Sequence, residues 1–355
     1  MNRPPERLLR VDNLNVAEVS ALLAPGELRA ELPLDAAGAR VIAGARDAVS
    51  AIIDGRDPRL LVVVGPCSIH DLVAAREYLG NLRGLADELS DQLLIMMRVY
   101  FEKPRTTVGW KGLLNDPHLD DTFDIESGLR QARALLLELT AAGMPAATEA
   151  LDPVAPQYLG DLISWYAIGA RTTESQTHRE MASGLSAPCG FKNGTDGDID
   201  VAVQAMQAAQ SPHHFLGIDE SGRTSVVRTR GNAQTHVILR GGGQPNYTSE
   251  HVQICRSKLR QAGLREAVMV DCNHGNSGKD PSRQAEVAHA VVAQRQAGDT
   301  ALVGLMLESN LFGGRQDLGS NLDDLAYGIS LTDACLDWRS TAALLREIAS
   351  SHRGR

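Results

Sequence analysis

The sequence predicts an α/β protein, a (β/α)8 TIM barrel with an N-terminal extension and an inserted β-hairpin, from three observations. Short apolar runs, each too short for a helix and each stopped by a polar or glycine-containing turn, recur along the chain. Stretches with helical periodicity fill most of the gaps between them. The first run is not followed by the Gly-x-Gly-x-x-Gly turn of a doubly wound open sheet, the main structural competitor.

The apolar runs lie at 60–64, 94–99, 145–148, 165–170, 188–191, 236–239, 267–270 and 301–307. Near-continuous apolar strands imply a parallel sheet covered on both faces, and eight of them match a closed barrel. Helical periodicity spans 36–53, 72–89, 125–142, 201–209, 252–262 and 283–297. Residues 1–55 precede the first strand and read as an extension for subunit contact and regulation; residues 56–355 form the catalytic barrel. Alternation around Glu220-Ser221-Gly222-Arg223 signals a hairpin inserted at about 213–235.

Composition narrows the function. The 355 residues are 43% hydrophobic and 22% charged, which suits a globular chain. A net charge of −9 with 4% aromatic residues argues against a nucleic-acid surface. Five scattered cysteines do not make a disulfide framework, and the opening residues hold no apolar signal run. A cytoplasmic protein with no membrane partner is expected.

In such a barrel the functional groups stand at the C-terminal ends of the strands. Reading along the chain, those ends deliver Cys67, then Arg98 and Lys103, then Glu149, Arg171, Lys192, Arg240, His274 and Glu308. Any one of them alone is most simply a polar residue at a solvent boundary. Together, the cations at one mouth of an acidic protein repel each other unless anions neutralise them, so a small polyanionic substrate is expected. Arg98, Arg171, Lys192 and Arg240 suit a phosphate and a carboxylate. The loop Lys103-Pro104-Arg105-Thr106-Thr107 suits a second phosphate, which makes two substrates. Thr173-Glu174-Ser175-Gln176 has capping-box spacing, which places a helix start beside Arg171. Cys67, His274, Glu308 and Asp333 offer sulfur, nitrogen and oxygen to a divalent ion, and the sulfur argues against Mg²⁺ or Ca²⁺. A lone cysteine or histidine is more often a core residue, and no two of these four share a short metal motif.

The blocks Gly65-Pro66-Cys67-Ser68-Ile69-His70-Asp71, Met97-Arg98-Val99-Tyr100-Phe101-Glu102-Lys103-Pro104-Arg105-Thr106, Ile168-Gly169-Ala170-Arg171-Thr172-Thr173-Glu174-Ser175, Gly190-Phe191-Lys192-Asn193-Gly194 and Asp271-Cys272-Asn273-His274-Gly275-Asn276-Ser277 carry a family signature. The chain resembles the type I 3-deoxy-D-arabino-heptulosonate 7-phosphate (DAHP) synthases of the feedback-regulated class, from about residue 12 to 350. The resemblance implies condensation of phosphoenolpyruvate with D-erythrose 4-phosphate and water, giving DAHP and phosphate, at the head of the shikimate route. It implies one first-row divalent ion per subunit (Mn²⁺, Fe²⁺, Co²⁺ or Zn²⁺) on Cys67, His274, Glu308 and Asp333, with no organic cofactor. Phosphoenolpyruvate contacts fall on Arg98, Lys103, Glu149, Arg171, Lys192 and Arg240, with backbone at Gly169 and Ala170. Erythrose 4-phosphate contacts fall on Lys103, Pro104, Arg105 and Thr106. Lys103 is the expected proton donor or orienting cation, with Glu149 positioning water. Asn273 stands where this family usually has serine.

The same resemblance implies an aromatic amino acid effector held by Asp152, Pro156, Gln157, Leu185, Ser186, Phe215, Gly217 and Val227. Glycine at 217 favours tyrosine over phenylalanine, because it leaves room for a para-hydroxyl. A homodimer or homotetramer is implied as well. A related enzyme class that uses arabinose 5-phosphate, and a catalytically silent metabolite sensor, are the competing readings.

Overall fold

The computed structural model describes residues 11–352 except 106, 108 and 320. Its strands are β1 (Leu60–Gly65), β2 (Leu93–Arg98), β3 (Ala146–Glu149), β4 (Trp165–Ile168), β5 (Cys189–Lys192), β6 (His214–Ile218), β7 (Thr224–Arg228), β8 (Thr235–Leu239), β9 (Val268–Asp271) and β10 (Leu302–Glu308). Eight of them close a barrel in the order β1-β10-β9-β8-β5-β4-β3-β2, with β6 and β7 apart as a two-stranded sheet. Every barrel pairing is parallel, and closure is made by Gly65 opposite Glu308 and Val62 opposite both Leu305 and Ile95.

The helices are α1 (Pro25–Glu31), α2 (Ala36–Ile53), α3 (Leu72–Glu88), α4 (Ile125–Ala141), α5 (Ala155–Leu159), α6 (Gln176–Gly184), α7 (Asp200–Ala209), α8 (Ser249–Gln261), α9 (His274–Ser277), α10 (Gln284–Gln296) and α11 (Trp338–His352). The eight barrel strands are mostly apolar because both of their faces are buried, with polar residues mainly at their ends. Along β1, Leu61 and Val63 join Met96, Ala147, Trp165, Ile238, Met269 and Met306 in one cluster. Leu60, Val62 and Val64 point the other way, into the helix-covered core. One polar pair sits in the first cluster: Trp165 Nε1 donates to His236 Nε2 at 2.9 Å, and burial holds that imidazole down at about 4, hence neutral at physiological pH.

The strand predicted over 165–170 stops at Ile168, because the Gly169 carbonyl turns to accept the Thr172 and Thr173 amides at 3.0 Å each. The capping-box expectation is corrected. Helix α6 starts at Gln176 with Ser175 in the N-cap position and no side-chain cap. The Thr173 hydroxyl bonds instead to the Gly169 and Lys192 carbonyls, at 2.9 Å each, and so ties β4 to β5 at the rim. The hairpin pairs His214 with Arg228, within the predicted insertion, and its Glu220 carbonyl receives Gly26 N of the N-terminal segment at 2.8 Å.

Candidate active site

At the end of β1 the chain passes so close to β2 that a Cβ on Gly65 (φ +153°) would stand 2.8 Å from the Arg98 carbonyl. That approach delivers Cys67 over the barrel axis. The Cys67 sulfur, a Glu308 oxygen from the end of β10 and an Asp333 oxygen lie within 4.8 Å of one another. His274 Nε2, in the turn after β9, is 3.8 Å from Asp333 Oδ2 and 4.0 Å from Glu308 Oε1. All four predicted ligands therefore converge. The donor set fits a first-row divalent ion, and one further feature points the same way: Glu308 Oε1 is buried without a hydrogen bond, although Arg98 Nη2 lies 2.9 Å away. Burial, reinforced by Glu308, pushes the Cys67 thiol up, while Lys103 pulls against that. Burial also opposes ionisation of Asp333, but Lys103, His274 and Lys279 outweigh it and hold the carboxyl below its usual range.

The loops are braced. Ser68 Oγ and Thr332 Oγ1, 2.8 Å apart, join the segments that carry Cys67 and Asp333. Gln284 clamps the Glu308 backbone from both sides, donating to its carbonyl at 3.0 Å and accepting its amide at 2.8 Å. His274 sits at φ +52°, a left-handed backbone that an L-residue adopts at a cost of ~1–3 kcal/mol.

A cavity opens over this cluster, and Arg98, Lys103, Pro104, Arg105, Glu149 and Gly169 line it together with Ala170, Arg171, Lys192, Arg240, His274 and Asp333. Thr106 lies outside the described residues. Arg98 is the floor of the cavity: its Nε donates to the Pro66 carbonyl at 3.1 Å, its Nη2 to the Cys67 carbonyl at 3.2 Å, and its guanidinium lies 3.5 Å over the Tyr100 ring. Lys103 Nζ reaches the Cys67 carbonyl at 3.1 Å and its sulfur at 3.2 Å. Glu149 Oε1 is buried with no hydrogen-bond partner, facing Gly169.

Sequence reasoning missed Lys279, Thr195, Tyr100 and Thr332, which also line the cavity, and above all Asp271. That fully buried carboxylate holds Lys192 Nζ at 2.7 Å and lies 2.9 Å from His274 Nδ1. Burial opposes its charge, yet His274 and Lys192 keep it well below the usual carboxylate range. An acid ending the apolar strand Val268-Met269-Val270 was the available signal.

A second cavity lies between α5, the end of α6 and the hairpin. Pro156, Gln157, Leu185, Ser186, Phe215 and Val227 line it, along with Arg29, Arg46, Asp161 and Tyr166. Two expected effector residues are not on its wall. Asp152 turns away to accept the Val154 and Ala155 amides at 2.7 and 3.2 Å, while its own amide donates to Glu102 Oε1 at 3.2 Å. Gly217 stands beside Val227 and Phe215 on the same hairpin face, where a Cβ would come within 2.7 Å of Val227 Cγ2.

The sequence profile of the DAHP synthetase I family matches residues 36–346. The phospho-2-dehydro-3-deoxyheptonate aldolase, Tyr-sensitive, of Escherichia coli K12 is 56% identical over 344 residues, covering 97% of each chain. The Phe-sensitive enzyme of the same organism is 53% identical, covering 97% of this chain and 98% of that one. The solved structure of phospho-2-dehydro-3-deoxyheptonate aldolase from Francisella tularensis SCHU S4 superimposes with a TM-score of 0.93 at 48% identity, covering 96% of this chain and 99% of that one. With the candidate ligands converged and the cations gathered over them, these matches settle the assignment: the chain belongs to the DAHP synthetase I family.

Proposed function

We propose that this protein condenses phosphoenolpyruvate with erythrose 4-phosphate and water to DAHP and phosphate, under feedback inhibition by tyrosine. The observation that carries the reading is the single cavity in which Lys103, Arg105, Arg171, Lys192 and Arg240 surround the mouth over Cys67, His274, Glu308 and Asp333. A carbon–carbon bond forms between the enol carbon and the aldehyde carbon. Water adds at the carbon bearing phosphate, whose C–O bond then breaks to release phosphate. Arg171, Lys192 and Arg240 hold the carboxylate and phosphate of one substrate while Pro104 and Arg105 position the phosphate of the other, offsetting their mutual repulsion. Lys103 Nζ holds a proton above the Cys67 sulfur for the developing alkoxide, and Glu149 orients water. A divalent first-row ion on the four ligands supplies Lewis acidity at the aldehyde oxygen when bound. A phosphate-release assay comparing erythrose 4-phosphate with arabinose 5-phosphate tests the reading; preference for the five-carbon sugar, or no turnover with metal present, rejects it.

The second cavity is the proposed tyrosine site, supported by its apolar wall of Pro156, Leu185, Phe215 and Val227 and by the Tyr-sensitive name of the relative. A homodimer or homotetramer is part of the same proposal, supported by exposed Val11, Leu14, Val19 and, on the hairpin, Leu216. Five free, buried cysteines suit the reducing cytoplasm proposed for it. No helix among the described residues is long and apolar enough to cross a membrane.

A further inference from the structure

We infer that Asn273 is a positioning residue for the metal centre, holding Glu308 so that one carboxylate oxygen, Oε1, is presented to the ion. The inference rests on the reading of Cys67, His274, Glu308 and Asp333 as ligands.

Asn273 Nδ2 donates to Glu308 Oε2 at 2.6 Å. A carboxylate only accepts, so the amide nitrogen must be the atom facing it, and this fixes the Asn273 rotamer. The other end of the amide is fixed too, since Asn273 Oδ1 accepts from Ser277 Oγ at 2.9 Å. The Asn273 backbone amide donates to Asp271 Oδ1 at 3.0 Å, on the same carboxylate that lies against His274 Nδ1. Asn273, Ser277, Asp271 and Glu308 are all buried. One residue thus takes its place from the Asp271 and Ser277 side and grips the Glu308 carboxylate on the other.

The consequence lies in what is left of Glu308. Gln284 clamps its backbone and Asn273 occupies Oε2, so Oε1 alone stays without a hydrogen bond, 4.0 Å from His274 Nε2 and held from one side by the charge of Arg98, whose Nη2 lies 2.9 Å away. A glutamate can bind an ion through one oxygen or two and has rotamers to lose in doing so. Occupying Oε2 from behind biases the side chain to the one-oxygen mode and removes that ordering cost from ion binding. Outer-shell partners of this kind are worth about 10–100-fold in metal affinity.

The test is Mn²⁺ affinity, read from free Mn²⁺ by electron paramagnetic resonance on the full chain, without turnover. Asn273→Ala is expected to weaken Mn²⁺ binding by roughly 10–100-fold, while phosphoenolpyruvate affinity of the metal-free protein stays within about twofold. Ser277→Ala, which loosens the far end of the amide, is expected to weaken it by roughly three- to tenfold, and it serves where Asn273→Ala folds poorly. Mn²⁺ affinity within twofold of wild type in both variants overturns the inference. Failure of the wild-type chain to bind Mn²⁺, or unchanged binding in Glu308→Gln, overturns the ligand reading beneath it instead.

Discussion

Gly169→Ala separates position from stability at the reacting centre. Gly169 follows β4, and a Cβ built on it stands 2.1 Å from Glu149 Oε1 and 3.1 Å from its Cδ. Ordinary contact begins near 3.4 Å, so the carboxylate must retreat by more than 1 Å. No hydrogen bond to Glu149 Oε1 has to be broken for that retreat. The fold therefore tolerates the substitution: the loss of unfolded-chain entropy on Gly→Ala, worth ~0.4–1 kcal/mol, offsets much of the local strain, and unfolding stability should stay within about 1 kcal/mol of wild type. Catalysis should not. A 1 Å displacement of a group that orients water costs on the order of 10²-fold in rate, equal to about 2.7 kcal/mol of transition-state stabilisation.

The assay is phosphate release at saturating substrates, alongside denaturant unfolding, for Gly169→Ala, Glu149→Ala and the double variant. If the methyl acts by displacing Glu149, the double variant is no slower than Glu149→Ala alone, since the group to be displaced is gone. Independent, multiplying losses would refute the reasoning, as would a Gly169→Ala enzyme within twofold of wild type.

Cys67→Ala should lower metal affinity by more than the ~10–100-fold of an outer-shell loss and remove turnover with it; calorimetric metal titration and circular dichroism check that the fold persists. Glu102, whose carboxyl burial pushes up to about 8 with Asp152 and Glu149 adding to the effect, stays protonated in the folded chain while the unfolded chain ionises. The native state therefore binds the extra proton, and stability falls as pH rises between the ordinary carboxylate range and about 8, with a limiting slope of about 1.4 kcal/mol per pH unit. Glu102→Gln should flatten that slope in unfolding experiments at pH 5, 7 and 9, and an unchanged slope would count against it. Gly217→Ser should push Val227 into the second cavity and weaken tyrosine inhibition at least ~10-fold with turnover intact; unaltered tyrosine inhibition curves would contradict this. Lys192→Met leaves the buried Asp271 carboxylate with only His274 and the Asn273 amide against it and should cost up to ~3–5 kcal/mol of unfolding free energy, whereas Arg240→Met should cost under about 1 kcal/mol while still weakening phosphoenolpyruvate binding. Equal stability losses in denaturant melts would refute that contrast.

The barrel was legible because its strands are buried on two faces and so carry no polar alternation, while the β6–β7 hairpin was legible from the turn residues Glu220-Ser221-Gly222-Arg223 rather than from side-chain polarity, since its exposed face includes Leu216 and Val226. Helices α2, α3 and α4 announce themselves through length and through the caps Asp35, Asp71 and Asp124. Helices α1 and α5 are too short for periodicity to register, and each depends on a proline near its start and on tertiary packing. Thr173 misled because its hydroxyl has two other carbonyls within reach, Gly169 in its own turn and Lys192 on β5, the second of which only the barrel supplies. Asp271 was passed over for a similar reason. A strand-terminal acid looks like a solvent boundary until Lys192 and His274, from different parts of the chain, are seen to meet it. Asn273 was visible as a residue of unexpected type, but its grip on Glu308 spans 35 positions and depends on closure between β9 and β10.

Closure also revises the charge argument. Crowded cations at the rim implied anionic ligands, yet part of that charge is answered within the protein. Arg98 meets Glu308 at 2.9 Å and Lys192 meets Asp271 at 2.7 Å, each a lining cation of the cavity paired with a fully buried carboxylate. Burial, with Arg171 nearby, pulls Arg240 down despite Asp271, Asp333 and Glu308, so its charge is the harder one to carry. On the proposed function an entering phosphate is drawn to these cations, which gain from neutralisation, while Arg98 steadies the Cys67 carbonyl and the Glu308 carboxylate. Under the proposed function Arg98 sets geometry, Lys192 serves both Asp271 and the substrate, and Arg171 and Arg240 supply the remaining affinity.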